Sequence, residues 1–199
     1  MNDFKKKMKE KIKQFSNDQY LAGYIQNEFH TYDGDADVFL NVGEKSELFD
    51  TWTVGFQKDL EDDIYQYIEN KTEMLENDIK INLHIVGVPF TSHEQGTIKH
   101  VLKEHYAIEL YKIQKKYIQH RNKIIALIGI AVLSFILYLT LYLATDFQFF
   151  MSVCSFVLSF SLWEAMDSYI YTLSEIKYKR ESITQKILMD VDFGEKKDV

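Results

Sequence analysis

A chain of 199 residues, 46% hydrophobic and 27% charged, has room for one domain of moderate size. Its net charge of −7 argues against a nucleic-acid partner, because a strongly acidic body repels phosphates. The single cysteine, Cys154, excludes an internal disulfide and gives no sign of an oxidising compartment.

The first predicted element is a basic amphipathic helix over residues 1–15. One face carries Phe4, Met8, Ile12 and Phe15. The rest of the helix carries six lysines: Lys5, Lys6, Lys7, Lys9, Lys11 and Lys13. No apolar stretch follows, so the segment is not a secretory signal. Such a helix can lie on an anionic membrane surface or dock on the acidic body of the same protein, and both interpretations stay open.

Residues 16–110 predict a cytosolic α/β module. Alternating apolar residues predict strands over residues 37–43 and 79–87. Helical spacing predicts helices over residues 16–30, over residues 56–75 and from Ser92 onward, where Ser92 and Gln95 have the spacing of a capping box. A strand–helix–strand order predicts a right-handed parallel crossover. Two parallel strands are marginal alone, so we expect residues 46–54 or neighbouring subunits to complete the sheet.

An acidic run within the α/β module has part of a calcium-loop spacing. The acids at loop positions 1, 3, 5 and 12 are Asp33, Asp35, Asp37 and Glu44. Position 6 of such a loop needs glycine for its turn, but Val38 stands there, and a β-branched residue resists a positive φ. We therefore interpret the run as a solvated turn before a strand.

Three histidines, His93, His100 and His105, fall on the helix that begins near Ser92. His100 and Glu104 are four residues apart and share a face, but zinc needs three or four converging ligands. A surface pair is the interpretation we prefer. The chain also has none of the common catalytic or nucleotide-binding motifs, so we expect no catalysis, no metal and no cofactor.

The first predicted membrane span covers residues 124–145. No charge lies between Lys123 and Asp146, and a helix of about 22 residues is roughly 33 Å long, enough for a hydrocarbon core of about 30 Å. A soluble core helix of this length would show a polar face. Neither proline nor another stop signal separates this span from the helix near Ser92, which predicts one continuous helix of about 50 residues.

A second predicted span covers residues 147–170, and the short link at residues 145–148 predicts an antiparallel hairpin. Acids at membrane depth are costly and tend to be functional, so Glu164 and Asp167 are candidate functional acids. They can pair with Arg121 or Lys123, or they can serve an ion pathway or an oligomer contact. Small residues predict helix packing against the partner span or another subunit, at Gly129, Ser152, Ser155 and Ser159.

Basic residues flank both spans and predict the orientation. A juxtamembrane helix over residues 111–123 carries Lys112, Lys115, Lys116, Arg121 and Lys123. A helical tail over residues 171–199 carries Lys177, Lys179 and Arg180. The positive-inside rule then predicts that both termini are cytoplasmic.

The sequence therefore predicts a small cytosolic α+β or α/β domain, with a β-α-β-α core, fused to a two-helix transmembrane hairpin. The expected function is a membrane-anchored interaction module, a sensor, adaptor or assembly protein without catalysis, in a bacterial inner membrane. The alternative is an oligomeric pore-forming or membrane-disrupting effector gated by the cytosolic domain. Expected partners are a bilayer containing anionic lipids, further copies of the chain, and an unknown protein or small ligand.

Overall fold

The structure, a computed structural model, describes residues 11, 25–26, 28–29, 35–50, 53, 58–143 and 148–194. Its main elements are β1 (Asp35–Asn41), α1 (Asp62–Thr72), β2 (Lys80–Val86), α2 (Ser92–Leu143), α3 (Gln148–Asp167), α4 (Ser174–Ile187) and β3 (Asp190–Gly194). A 3₁₀ turn, Lys45–Glu47, follows β1, and a π-helical segment, Ser168–Leu173, connects α3 with α4. The helices predicted over residues 1–15 and 16–30 lie mostly outside the described residues.

The chain divides into two compact units. The sheet unit comprises Met1–Tyr106 together with Thr184–Val199, and the helical unit comprises Ala107–Ile183. The chain is thus mixed α/β, with a small parallel sheet and two long apolar helical segments.

Three parallel strands form the sheet in the order β1-β2-β3. Val38 of β1 is level with Leu83 of β2, and Leu83 is level with Val191 of β3. The predicted parallel pairing of the first two strands is therefore confirmed, with bounds that differ by one or two residues.

The third strand comes from the end of the chain, which corrects two predictions. The described residues within 46–54 are not part of the sheet, and one of them, Phe49, forms an isolated antiparallel bridge with Leu60. The tail over residues 171–199 is not helical throughout either, because α4 ends at Ile187 and β3 begins at Asp190. Because the tail was predicted to be helical past Ile187, the prediction missed β3, in which Val191 is buried in the sheet core.

One face of the sheet supplies the core of the sheet unit. Its alternating buried residues are Ala36, Val38, Leu40, Ile81, Leu83, Ile85 and Val191. The helices contribute the buried side chains Tyr65, Ile68, Ile98, Leu102 and Tyr106. Burying a large aliphatic or aromatic side chain contributes about 1.5–3 kcal/mol, so this single layer dominates the stability of the unit.

The start of α2 is fixed by a capping box one residue earlier than the predicted pair of Ser92 and Gln95. The Thr91 N–H donates to Glu94 Oε2 over 2.7 Å, and the Glu94 N–H donates to Thr91 Oγ1 over 3.3 Å. The sequence offers both spacings, but an ionised carboxylate is the stronger acceptor and favours a helix N-terminus. Lys45 also reaches this carboxylate, with Nζ 2.7 Å from Oε2.

α2 runs without a break for 52 residues, from Ser92 to Leu143. The prediction of one continuous helix of about 50 residues is confirmed. Two helical segments, Ser92–Leu143 and Gln148–Ile187, are long and apolar enough to cross a membrane.

Candidate functional site

The helical unit exposes most of its large apolar side chains. Each helical segment contains a most apolar stretch of 18 residues. Only 11% of that stretch is buried in Ser92–Leu143, and only 17% in Gln148–Ile187. The exposed side chains include Ile125, Val132, Leu133, Phe135, Ile136, Phe149, Phe150, Phe156, Phe160 and Leu162. Contiguous apolar surface on this scale is rare on soluble monomers and marks a surface that needs a non-aqueous environment or a partner.

Small residues are buried instead. On α3 and the π-helical segment these are Cys154, Ser161, Ala165 and Ser168, and on α2 they include Ala131. The positions Ile124 and Ala131 on α2, like Cys154 and Ser161 on α3, repeat at the seven-residue interval typical of two helices packed along one seam. Small side chains allow close backbone approach, which is how helices associate without water.

The predicted packing residues are not among these buried positions, and their packing against another subunit stays a prediction. Ser152, Ser155 and Ser159 are exposed. Gly129 is exposed too, and a Cβ placed on it would meet nothing within 4 Å. An apolar helix has no polar stripe that shows which side faces inward. Serines occur on two faces here, so the sequence alone did not show which face is buried. The buried face contains Ser161 and Ser168.

Glu164 forms an ion pair with Lys123, whose Nζ lies 2.7 Å from Oε1. This is one of the two pairings that the sequence suggested. The side chains are 34% and 48% exposed, so the pair is only partly desolvated. Asp167 is exposed and forms no ion pair with any residue that the structure describes. The structure therefore brings only one of the two candidate acids to a cation.

The basic residues of the juxtamembrane helix are on the surface: Lys112, Lys115, Lys116, Arg121 and Lys123 are all exposed. Beyond the second segment, Lys177 and Lys179 are exposed as well. Arg180 is half-buried, its guanidinium 4.6 Å from the centre of the Tyr117 ring. Of the N-terminal lysines only Lys11 lies within the described residues, where it is helical and exposed.

The second face of the sheet is polar and half-open. The alternation in β2 predicted a half-buried strand, but because β3 was missed the sequence did not place Asp190 beside Lys80. Lys80 Nζ lies 2.7 Å from Asp190 Oδ2, and His84 Nε2 lies 3.1 Å from Asp37 Oδ1. The hydrogen bond with Asp190 raises the pKa of Lys80, and the same bond with Lys80 lowers the pKa of Asp190. Phe39 stacks on His84 with ring centres 4.9 Å apart. This face is a small mixed surface of charges, amide and aromatic groups.

The acidic run belongs to the strand rather than to a turn before it. Asp35 and Asp37 lie within β1, and both carboxylates accept hydrogen bonds from Asn82 of β2. Asp33 lies outside the described residues, and Glu44 follows the strand as the cap of the 3₁₀ turn. The described members therefore belong to separate elements instead of one calcium-binding loop.

Two histidines on α2, His100 and His105, contact other side chains. The predicted surface pair is confirmed, with His100 Nε2 3.6 Å from Glu104 Oε2 on an exposed face. His105 stacks on Tyr65, with ring centres 3.6 Å apart. The Tyr65 hydroxyl donates to Asp59 Oδ1. Burial is the main reason that the pKa of Tyr65 is raised, and this hydrogen bond is the second. Among the described residues no group of three metal-ligating side chains converges.

No protein-family model, no curated protein and no solved structure matches the chain. The functional argument therefore rests on three features of the molecule itself. These are the exposed apolar surface of the helical unit, the cations that flank it, and the polar face of the sheet.

Proposed function

We propose that the chain is an integral membrane protein. Its two apolar helical segments form a transmembrane hairpin that anchors a cytosolic α/β interaction module at a bacterial inner membrane, and the module acts as a sensor, adaptor or assembly protein without catalysis. The observation that carries this proposal is the inverted burial of the helical unit. Leu133 is 68% exposed and Phe156 is 71% exposed, while Ala131 and Ser161 are almost fully buried. In a bilayer the exposed apolar side chains would contact lipid, and the buried small residues would let the two helices pack closely.

The pairing of β2 with β3 supports an even number of membrane crossings. β2 precedes the first apolar segment and β3 follows the second, yet Leu83 and Val191 are partners in one sheet. An open sheet cannot extend through hydrocarbon, because its unpaired edge groups would lose their water. The exposed lysines that flank both segments support a cytoplasmic location for the sheet and for both termini.

The polar sheet face supports interaction as the role of the module. All-parallel sheets are almost always covered on both faces, but here Phe39 is 46% exposed and Lys80 and Asp192 are exposed. Ion pairs join Lys80 to Asp190 and His84 to Asp37 across the strands, and this fixed arrangement favours recognition of a protein or small ligand over non-specific contact. The partner's chemistry is complementary to a mixed, mainly acidic surface.

Membrane insertion is tested by fractionation and by reporter fusions. We expect the chain to resist extraction by alkaline carbonate. Reporters placed after Val199 and at Gly34 should both report cytoplasm, and a matched reporter after Asp146 should report the opposite side. Release by carbonate, or a periplasmic signal from either of the first two fusions, would contradict the proposal.

A second candidate function, an oligomeric pore or membrane-disrupting effector, is favoured by one observation. The exposed residues Ser152, Ser155 and Ser159 line a groove together with Tyr138 of α2 and Gln148. A small-residue stripe of this kind suits a helix of another copy, and a two-helix hairpin needs further copies to enclose a water path. Subunit number in detergent, combined with ion flux in liposomes, separates the candidates. A monomer or dimer without flux would eliminate the pore.

A further inference from the structure

Among the residues that the structure describes, one face of the sheet has no covering layer. The strands run in the order β1-β2-β3, so both crossovers advance in the same direction across the sheet. Right-handed crossovers of this kind place the connecting helices on one face. The contact between Tyr65 of α1 and Tyr106 of α2, with ring centres 6.1 Å apart, agrees with this arrangement. Parallel sheets are almost always covered on both faces, so the polar sheet face calls for an occupant.

The polar sheet face combines an excess of carboxylates with an aromatic patch. Its side chains form three cross-strand rows, which are Asp35 with Lys80, Asp37 with Asn82 and Asp190, and Phe39 with His84 and Asp192. Four carboxylates therefore share the face with one lysine, and Lys80 already pairs with Asp190 at 2.7 Å. The rings of Phe39 and His84 stack with centres 4.9 Å apart, and Phe39 is 46% exposed. A suitable occupant is cationic and carries an apolar stripe.

The predicted basic helix over residues 1–15 has this chemistry. At about 100° per residue, its apolar residues form one stripe along the helix: Phe4, Met8, Ile12 and Phe15. The same spacing places Lys5 and Lys9 along one side of the stripe and Lys7 and Lys11 along the other. Lys6 and Lys13 fall on the opposite side of the helix. The stripe and its two flanks match an aromatic patch set among carboxylates.

The dimensions of the helix and the face also agree. A helix of 15 residues is roughly 22 Å long, and β1, with seven residues, is about 23 Å long. The outer two of three strands lie about 10 Å apart, close to the diameter of one helix. Residues 16–34 separate the segment from Asp35, which belongs to the first row of the face. This connection is long enough to return the segment over the sheet.

From these observations we infer that residues 1–15 dock as a helix on the polar sheet face of their own chain. The apolar stripe lies on Phe39 and His84, and the flanking lysines pair with the carboxylates. Two polar sheet faces from separate copies would repel each other by like charge, which disfavours a second copy as the occupant. An external partner must then displace this segment, so the segment controls access to the face. The inference rests on the proposed role of the face as an interaction surface.

The test measures hydrogen exchange of residues 1–15 by mass spectrometry, in the full-length protein in a neutral detergent without lipid. We expect slower exchange than in a synthetic peptide of the same residues. Lys5→Gln combined with Lys9→Gln should speed the exchange about fivefold, the effect of losing two partly solvated ion pairs. The matched control, Lys6→Gln combined with Lys13→Gln, removes the same charge from the opposite side of the helix. It should exchange as the wild type does.

A second pair of variants tests the sheet side of the contact. Asp35→Asn combined with Asp192→Asn removes two carboxylates from the polar sheet face and should also speed exchange of residues 1–15. Glu69→Gln combined with Glu73→Gln removes two exposed carboxylates at α1 and should not. Unchanged protection of β2 in every variant verifies that the sheet remains folded. In the wild type, carbodiimide should crosslink the flanking lysines to carboxylates of the face within one chain.

Three results would overturn the docking. The first is equal exchange in the two lysine double variants. The second is protection of residues 1–15 that arises only after anionic vesicles are added, which would assign the segment to a lipid surface. The third is crosslinking between isotopically labelled and unlabelled chains in place of crosslinking within one chain, which would assign it to a second copy.

Added peptide and carbonate extraction separate this inference from the proposed function. If residues 1–15 of the wild type stay unprotected but the synthetic peptide, added in excess, crosslinks to the polar sheet face, only the docking within the chain is overturned. If neither the segment nor the peptide binds, the proposed role of the face fails with it. Release of the wild type by alkaline carbonate contradicts the membrane proposal and leaves the docking unaffected.

Discussion

The sheet unit and the helical unit bury opposite kinds of residue. In the sheet unit Ile68, Ile81 and Leu83 are fully buried while the exposed face carries Asp, Lys and His. In the helical unit Leu133 and Phe156 are exposed while Ala131 and Ser161 are buried. The sheet unit gains stability by removing apolar area from water. The helical unit has little to gain that way in a bilayer and depends on close packing of small side chains.

The contrast shows that the exposure of an apolar side chain has different consequences for stability in the two units. Leu83 is fully buried in the core of the sheet unit, whereas Leu133 of the helical unit is 68% exposed and would contact lipid in the proposed membrane hairpin. Substitutions of the same chemistry in the two units should therefore have different consequences.

The largest difference is expected for leucine truncation. Leu83→Ala leaves a cavity under the sheet and should cost about 2–5 kcal/mol, because Leu83 is fully buried. Leu133→Ala should change stability little, since Leu133 is 68% exposed. In a chain of this size the first change lowers the melting temperature by at least about 4 °C. Circular dichroism in detergent, with protease resistance of the sheet unit, measures both. Equal shifts would contradict the contrast.

A smaller difference is expected when the seam between the apolar helices is overfilled. Ala131→Leu puts a large side chain at a buried seam position and should cost about 1–3 kcal/mol. Gly129→Leu, two residues away, makes a larger change in side-chain volume at a position with nothing within 4 Å. It should be neutral or stabilising, because leucine is the better helix former. Thermal melts compare the two variants. If Gly129→Leu lowers the stability more than Ala131→Leu does, the buried seam does not lie on the helix face that carries Ala131.

The features that the sequence predicted well depend on local periodicity. Alternation at Ile81, Leu83 and Ile85 predicted β2, and the uncharged stretch after Lys123 predicted a long apolar helix. In both cases the pattern repeats along one segment, so no distant partner is needed to recognise it.

The features that the sequence did not predict depend on partners far along the chain. β3 has five residues, and its register with Asn82 and Leu83 is set by pairing across more than one hundred positions. The helix face that is buried could not be chosen because serines occur on both faces of α3. The capping pair is a different case, because Thr91 and Glu94 have the local spacing of a capping box and could have been chosen from the sequence; Lys45 of the 3₁₀ turn adds a contact to Glu94.

The ion pair of the helical unit should make a modest contribution. Lys123 and Glu164 are each about one-third to one-half exposed, so a coupling of about 0.5–1 kcal/mol is expected. A double-mutant cycle with Lys123→Met and Glu164→Gln isolates this term from the two single effects. Asp167→Asn serves as the control, because Asp167 is exposed and forms no ion pair with any described residue. If the free-energy changes of the two single variants add with no coupling term, the ion pair does not stabilise the helical unit.

The smallest expected effect is the acid dependence of the sheet unit. The hydrogen bond from Lys45, followed by those from Thr91, holds the pKa of Glu94 at about 2, below the ordinary 4.5. A lowered pKa in the folded state means that this contribution is complete above pH about 4.5 and is lost as the pH falls towards about 2. The effect is small because the pair is partly solvated.

Glu94→Gln should therefore reduce the loss of stability between pH about 4.5 and 2, measured by thermal melts across that range. Some acid dependence should remain, because the contact with Lys80 also lowers the pKa of Asp190. Glu69→Gln removes an exposed carboxylate from α1 and should keep the wild-type slope. If Glu94→Gln and Glu69→Gln have the same acid slope, the link between Lys45 and the start of α2 contributes nothing to the folded state. The carboxyl ends of β1 and β2 would still be joined by the buried register partners Leu40 and Ile85 and by the hydrogen bond from the Val42 N–H to the Val86 carbonyl at 2.8 Å.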